Sequence, residues 1–293
     1  MTLRYLPLGV LAFALAISPP SLAATGQDTT SASEAKAPSG MLGLNGTHSK
    51  QPMHLNADGG IEWQQATKSY IARKNAVATR GNVTLRAETI TAYYRDAAKA
   101  GNTEVWRVVA EGGVRITTPS QSVVGDVATY DLDNAVVVVK GSAIRLVTPQ
   151  DVVTARDSLE WYDQKQLAVA RGKACVKHGV RTVRADVLAA QIATASGQPA
   201  KISRVNALGH VQVSGPGQLG TGDKGVYDAR TGKVTLRGHV VMVRGENTLT
   251  GEYGIVDLSQ GVSRLMPAGG KDDRVHGYIV PQQKGGSGDG NPR

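Results

Sequence analysis

Apolar and polar residues alternate with a period of two along much of this chain, which predicts β-strands that bury one face. The clearest runs are Val83-Thr84-Leu85, Val114-Arg115-Ile116, Ile144-Arg145-Leu146 and Val211-Gln212-Val213. Groups of Asp, Asn, Gln and Gly that favour tight turns lie between such runs. No stretch after the first two dozen residues has a convincing amphipathic helical pattern. The chain is therefore predicted to be all-β, with antiparallel strand-turn-strand units.

The pattern repeats at long range. The stretch 125–146 returns as 222–243, where Gly, Asp, Tyr, Asp and Gly recur at an offset of 97 residues. The stretch 72–88 matches 170–186 without gaps at an offset of 98, with seven of seventeen positions identical. Repetition of one long unit predicts an array in which each copy stacks on the next.

The repeats divide the chain into units. We predict a first β-repeat unit at 51–148, a second at 149–246 and a partial capping repeat at 247–281. The Ala-, Ser- and Thr-rich stretch 24–50 is predicted to be a flexible leader, and 282–293 a disordered tail. Stacked units of this kind leave a strand edge at each end, where another chain can add a strand.

The amino terminus has the features of a signal peptide over residues 1–23. Arg4 provides positive charge, Leu6 to Ile17 form an apolar core, and Ser21-Leu22-Ala23 has the small residues of a cleavage site. Cleavage predicts export, most simply to a bacterial periplasm. The alternative is an uncleaved anchor, although the apolar run is short for a membrane span.

Composition supports short strands and turns, because the 293 residues include 35 Gly and only 4% aromatic residues. The formal net charge of +9 is scattered along the sequence. It favours anionic partners such as phosphorylated lipids, polyanions or a membrane surface. Several basic residues recur in both units, and for each of them the simplest interpretation is a solvated outer face: Arg73 and Arg171, Arg86 and Arg184, Arg107 and Arg204, Lys140 and Arg237.

No catalytic or metal-binding constellation is predicted. Acidic residues recur every 29 to 38 positions, which suits a structural role in a repeated turn better than an active site: Asp58, Glu88, Asp126, Asp157, Asp186, Asp223 and Glu252. The six histidines lack zinc-ligand spacing, and no glycine-rich phosphate loop is present. Cofactors, metals, enzymatic activity and nucleic-acid binding are therefore not expected. The lone Cys175 aligns with Val77 and is predicted to be a buried packing residue.

The repeated segments resemble a known family. An acidic residue followed by an aromatic, and then Gly-x-Val-x-apolar, occurs in ADGGIEW, RGNVTLRAETITAYY, EGGVRITT, GDVATYD and LGHVQVSG. Behind a signal peptide, this order is similar to the LptA/OstA family of periplasmic lipopolysaccharide (LPS) transport proteins, over roughly residues 53–265. The resemblance implies a twisted, open β-jellyroll whose apolar interior holds the acyl chains of LPS. It also implies head-to-tail joining with itself and with LptC-like inner-membrane and LptD-like outer-membrane partners.

The resemblance makes the alternating apolar face a candidate lipid-binding groove. Inward-pointing positions are predicted at Val83, Leu85, Val114, Ile116, Ile144, Leu146, Val211, Val213, Val241 and Val243. Ordinary core packing is the competing interpretation for each of them. For the whole chain, the alternatives to lipid transport are a structural or adhesive β-repeat scaffold and, third, a polysaccharide-active β-solenoid enzyme.

Overall fold

The computed structural model describes residues 52–96, 103–193, 201–257, 262–267 and 274–280. The predicted signal peptide, leader and tail lie outside these residues. The described part contains strands and turns without helices, as the alternation predicted. The eighteen strands are β1 His54–Asn56, β2 Ile61–Gln64, β3 Ser69–Arg80, β4 Val83–Asp96, β5 Thr103–Thr117, β6 Ser122–Asp131, β7 Val136–Lys140, β8 Ile144–Val147, β9 Asp151–Ala155, β10 Ser158–Tyr162, β11 Leu167–His178, β12 Arg181–Ala193, β13 Lys201–Gly215, β14 Gln218–Asp228, β15 Lys233–Arg244, β16 Asn247–Asp257, β17 Val262–Met266 and β18 His276–Tyr278.

Most long strands are bent near the middle, so that their two halves belong to different layers. In β3 and β4, pairing is regular from Ser69 opposite Tyr93 to Arg73 opposite Thr89. It resumes with Ala76 opposite Ala87, one residue out of step. Successive antiparallel pairs shift register in the same way, as an inserted residue in one strand requires. The sheet is therefore folded over on itself.

The two halves of the folded sheet form layer A and layer B. Layer A contains β2, β7, β10 and β17 with the halves of long strands such as 69–73, 107–111 and 233–237. Layer B contains β1, β8, β9 and β18 with the other halves, such as 76–80, 114–117 and 240–244. Hairpin turns within each layer lie at the far ends. The layers face each other over one apolar core, which is the predicted open β-jellyroll.

Left-handed residue pairs form the bend, which we call the corner. At the bend of β15, Gly238 and His239 have φ of 77° and 47°. They lie beside Asp223 of β14, whose carboxylate is 2.8 Å from His239 Nδ1. A Cβ on Gly238 would overlap the Asp223 carboxylate, so glycine is required at this position.

The corner repeats on alternate strands. Other left-handed pairs, each beside an acidic residue of the neighbouring strand or bend, are Lys74 and Asn75 beside Asp58, Gly112 and Gly113 beside Glu88, Gly172 and Lys173 beside Asp157, and Gly209 and His210 beside Asp186. The recurring acids are therefore structural, as predicted. These acids lie at the corner between the layers, whereas other carboxylates stabilise the hairpin turns. Asp131 and Asp228 accept backbone hydrogen bonds from Asn134 and Thr231 at 2.9 and 3.0 Å, which lowers the pKa of both carboxyls.

A glycine substitution at the corner should destabilise the fold by more than one at a hairpin turn. Gly238→Ala introduces both left-handed strain and overlap with Asp223, whereas Gly245→Ala at φ 58° enters open space. We expect Gly245→Ala to lower the free energy of unfolding by about 1 kcal/mol, and Gly238→Ala by at least about 2 kcal/mol. Urea denaturation of both variants measures the difference. Equal losses would contradict the carboxylate contact.

The corner histidines should titrate as partners of their carboxylates. Hydrogen bonding to Asp186 and its negative charge raise the pKa of His210, and Asp223 does the same for His239. Since the folded pKa exceeds the unfolded value of about 6.5, this stabilisation is complete below that pH and is lost as pH rises through the folded pKa. We expect Asp186→Asn to lower the pKa of His210 in an NMR titration and to leave that of His239 unchanged. An unaltered His210 would disprove the pairing.

Candidate functional site

The space between the two layers is the candidate site. In the first half of the chain it contains a cavity of about 70 Å³ near the ends of the strands away from the corner. Layer B contributes Ala78, Val83, Leu85 and Ile116 to its walls, and layer A contributes Val108, Ala128, Tyr130 and Val137. Nearly all of these groups are apolar, so the cavity suits a hydrocarbon ligand better than a polar one.

Tyr130 is one of the polar residues that line this cavity. Its ring packs against the core. Burial raises the pKa of its phenol above the usual value, although the nearby positive charge of Arg80 acts in the opposite direction. Tyr130 is therefore neutral at physiological pH. Arg80 also lines the cavity, so one wall ends in a positive charge.

Eight of the ten predicted groove residues point into this interior. Six are buried, namely Val83, Val114, Ile116, Ile144, Leu146 and Val211. Leu85 and Val213 are half-buried and pack against the same core. All eight belong to layer B, so the alternating pattern revealed one wall of the interior.

The structure corrects the prediction that Val241 and Val243 point inward, because both lie on the outer face of layer B. Their neighbours Val240 and Met242 are buried in their place. The repeat alignment pairs Val241 with Ile144, but the corner of the first unit has two extra residues between β7 and β8, whereas that of β15 has one. Since side chains alternate along a strand, a difference of one residue reverses which face each one occupies.

The opposite wall was missed by sequence reasoning. Layer A contributes Ile90, Ala110, Val137, Val139, Leu188 and Leu236 to the core. Residues 136–139 form a continuous valine run in which no alternation marks the inward side. Alanine is the other missed signal, because the interior wall of the first unit contains Ala72, Ala76, Ala78, Ala87, Ala92, Ala110 and Ala128. Such small side chains leave room between the layers.

The second half of the interior is filled by larger side chains. Leu236 of layer A is fully buried and reaches Gly220 of layer B, where an added Cβ would be 3.1 Å from Leu236 Cδ1. Met242 of layer B similarly packs over Gly254 of layer A. Large side chains opposite glycines give close packing across the two layers. The cavity described above is lined by residues of the first repeat.

The buried acid Glu160 was not singled out from the sequence. It lies on the outer face of layer A and accepts hydrogen bonds from Ser158 Oγ at 2.7 Å, Tyr162 Oη at 2.8 Å and Arg171 Nε at 2.9 Å. Burial, the largest single effect, favours the neutral acid, but these bonds together hold its pKa below the ordinary range. Glu62 and Arg73 form the equivalent ion pair in the first repeat at 3.6 Å. A fully satisfied carboxylate of this kind is structural.

The structure also corrects the prediction that Cys175 is a buried packing residue. It is half-buried on the outer face of layer B, beside Arg184 in the neighbouring strand, whereas Ala174 is the buried residue. Its repeat partner Val77 also lies on that face, next to Arg86. The equivalence with valine therefore indicated a shared position on a strand but not burial.

The described residues contain no group of three metal-ligating side chains. Three histidines each contact a single aspartate, namely His178, His210 and His239. No helix among the described residues has the length and apolarity to cross a membrane.

The two ends of the sheet expose large apolar residues. At the β2 edge, Ile61 and Trp63 are 49% and 58% exposed. Trp161, the repeat partner of Trp63, is 3% exposed because β7 pairs with its strand. Within the described residues β2 pairs with β3 alone. Val262, Tyr278 and Ile279 are exposed at the other end.

Comparisons with known proteins found a family match and similar solved structures. Residues 153–262 match the family model described as LptA/(LptD N-terminal domain) LPS transport protein. A similar solved structure is the crystal structure of LptH from Pseudomonas aeruginosa, described as the LptA homologous periplasmic component of the conserved lipopolysaccharide transport device. It is 20% identical, covers 45% of this chain and 95% of its own, and has a TM-score of 0.40. No curated protein matches the chain.

The family match covers the second repeat, the part of the chain that has the same bent strands and corner as the first. Residues 153–262 therefore match an LptA/LptD N-terminal-type domain, which is similar to the family that the repeated motifs indicated.

Proposed function

We propose that this protein is a non-enzymatic periplasmic carrier that binds LPS and bridges the inner and outer membranes. The observation that carries the proposal is the apolar cavity between two layers, which the bent strands join along one side at the corner. Acyl chains would enter between the rows of turns. Burial of each methylene would favour binding by a free energy of about 0.8 kcal/mol. Sugars and phosphates would remain outside, where water solvates them.

The cavity of the first repeat is the proposed entry to the groove. With a volume of about 70 Å³, the cavity holds only a small part of an acyl chain, so binding requires the layers to separate further. Separation is feasible because the hairpin turns at the far ends join strands within a layer and not across it. The alanine-rich walls would move apart with little loss of packing compared with the Leu236 region.

The sheet ends are the proposed contacts with LptC-like and LptD-like partners and with further copies. A strand added beside β2 would cover Trp63 as β7 covers Trp161. Energy for directed movement would come from a partner, since the sequence has no nucleotide-binding loop. The scaffold alternative shares these edges but requires no lipid in the interior.

Crosslinking from the interior tests the groove directly. We expect a photoreactive amino acid at Ile116 to form LPS adducts in cells, because this side chain lines the cavity. The same substitution at Arg107 places the probe on the exposed outer face of layer A, next to the cavity residue Val108, and should give at least about tenfold less adduct. Val213 and Gln212 provide a second pair in the other repeat. Equal labelling of the two faces would contradict a groove between the layers.

Depletion in the native host tests the transport function. We expect LPS to accumulate at the inner membrane, because the apolar path between membranes is interrupted. Membrane fractionation and surface labelling of LPS measure the two locations. Re-expression of the wild-type gene serves as the control. Normal surface delivery would overturn transport, and assembly of the purified protein without bound lipid would favour the scaffold.

A further inference from the structure

The outer face of layer B carries a row of arginines that the groove does not use. Hydrogen-bonded register places Arg86 opposite Arg115, Arg115 opposite Val124, and Val124 opposite Arg145. The same row continues through Thr154 and Cys175 to Arg184. We call this surface the arginine face. It crosses seven neighbouring strands, or about 29 Å at the usual strand spacing.

All four arginines of this row, Arg86, Arg115, Arg145 and Arg184, are exposed. None of them forms an ion pair within the described residues. A second row of outer-face residues runs parallel to the first, two residues further from the corner. It extends from Thr79 to Thr248, includes Lys177 and contains no carboxylate. Corner acids border the arginine face on one side only.

Layer A differs, because several of its outer-face cations form ion pairs. Arg73 pairs with Glu62, Arg171 with Glu160, and Arg95 with both Glu104 and Asp133. The four arginines of layer B have no such partner within the described residues. Cross-strand register would have allowed acids on that face too, so the asymmetry does not follow from the fold.

The arginine row does not help the sheet to fold. Like charges directly opposite each other on antiparallel strands are destabilising, and Arg86 and Arg115 are such a pair. An external anionic partner would offset this repulsion between the arginines, because it would attract each of them. The row therefore has the charge pattern of a binding surface rather than of a stabilising one.

A lipid held in the groove does not supply these anions. The arginines alternate along their strands with buried residues such as Ala87, Val114 and Ile144, so the sheet itself separates them from the interior. Their row lies beside the closed corner, whereas the groove opens between the turns. The headgroup of a lipid whose chains fill the groove would emerge on a different side.

We propose that the arginine face docks on an anionic lipid bilayer, with phosphate headgroups as the groups it recognises. A row about 29 Å long requires a surface with many anions, which a single phosphate cannot provide. Val124, Val147 and Val152 lie between the cations, and Val147 is 38% exposed. Small apolar residues among arginines suit the headgroup boundary. The absence of aromatic residues from the described row between Val77 and Thr250 disfavours stacking on nucleic-acid bases.

Vesicle binding by the purified protein tests this surface. We expect cosedimentation with vesicles of phosphatidylcholine containing roughly one third phosphatidylglycerol, little with phosphatidylcholine alone, and release as salt is raised. The variant with Arg86→Gln, Arg115→Gln, Arg145→Gln and Arg184→Gln should lose roughly a hundredfold or more in partitioning, at about fivefold for each arginine.

A matched control removes four exposed cations from the other layer. Arg73→Gln, Arg107→Gln, Arg204→Gln and Lys224→Gln change the net charge equally and should leave vesicle binding within about threefold of wild type. Circular dichroism checks that both variants retain the sheet. Equal losses in the two variants, or equal binding of the wild type to both kinds of vesicle, would overturn the proposal. Binding to soluble dextran sulfate without binding to vesicles would overturn it as well.

Cys175 provides a second readout because it is the single cysteine and lies in the arginine row. A fluorophore attached there should become protected from a water-soluble quencher when anionic vesicles are added to the otherwise unaltered chain. Continued full access to the quencher in the vesicle-bound protein would mean that another surface makes the contact. These outcomes are independent of LPS crosslinking at Ile116, so the groove and the arginine face can fail separately.

Discussion

At each bend of this sheet, one strand must add a residue and pass through the left-handed region while its neighbour stays extended. The pairs from Lys74 and Asn75 to Gly238 and His239 do this, each beside a carboxylate of the adjacent strand. Because the bends align from strand to strand, the whole sheet folds along one line. The corner thereby creates the two layers, the enclosed interior and the two outer faces, and every other property depends on it.

The interior differs between the repeats although their backbones are alike. Residues of the first repeat line a cavity between the layers, whereas in the second repeat Leu236 and Met242 pack closely over glycines. Local packing of side chains therefore differs between sections that share one backbone topology.

The outer faces are equally unlike. Layer A has several ion pairs, the most complete of them around the buried Glu160, while the arginines of the arginine face on layer B form no ion pair within the described residues. Within a single folded sheet, one surface is thus stabilised by ion pairs and the other is available to an anionic partner. The interior and the arginine face are separated by the thickness of layer B, so the two proposed lipid contacts would not compete for the same residues.

Much of this architecture could be predicted from local sequence. Alternation identified the strands, and the repeated motifs indicated the family whose model matches residues 153–262. Eight of the ten alternating apolar residues lie in the interior, because no bend lies within their short runs; their contact with lipid stays a prediction. The acids were recognised as structural, although their position at the corner was not.

The tertiary structure decided everything that depends on the count of residues at the bend. One extra residue at the corner of β15, against two between β7 and β8, turned Val241 and Val243 outward. The wall of layer A, the exposure of Cys175 and the alignment of Arg86 with Arg115 likewise required the register between strands. Sequence alternation specifies two faces for each straight segment. Which of them is inside is set only when a bulge fixes the phase of one segment relative to the next.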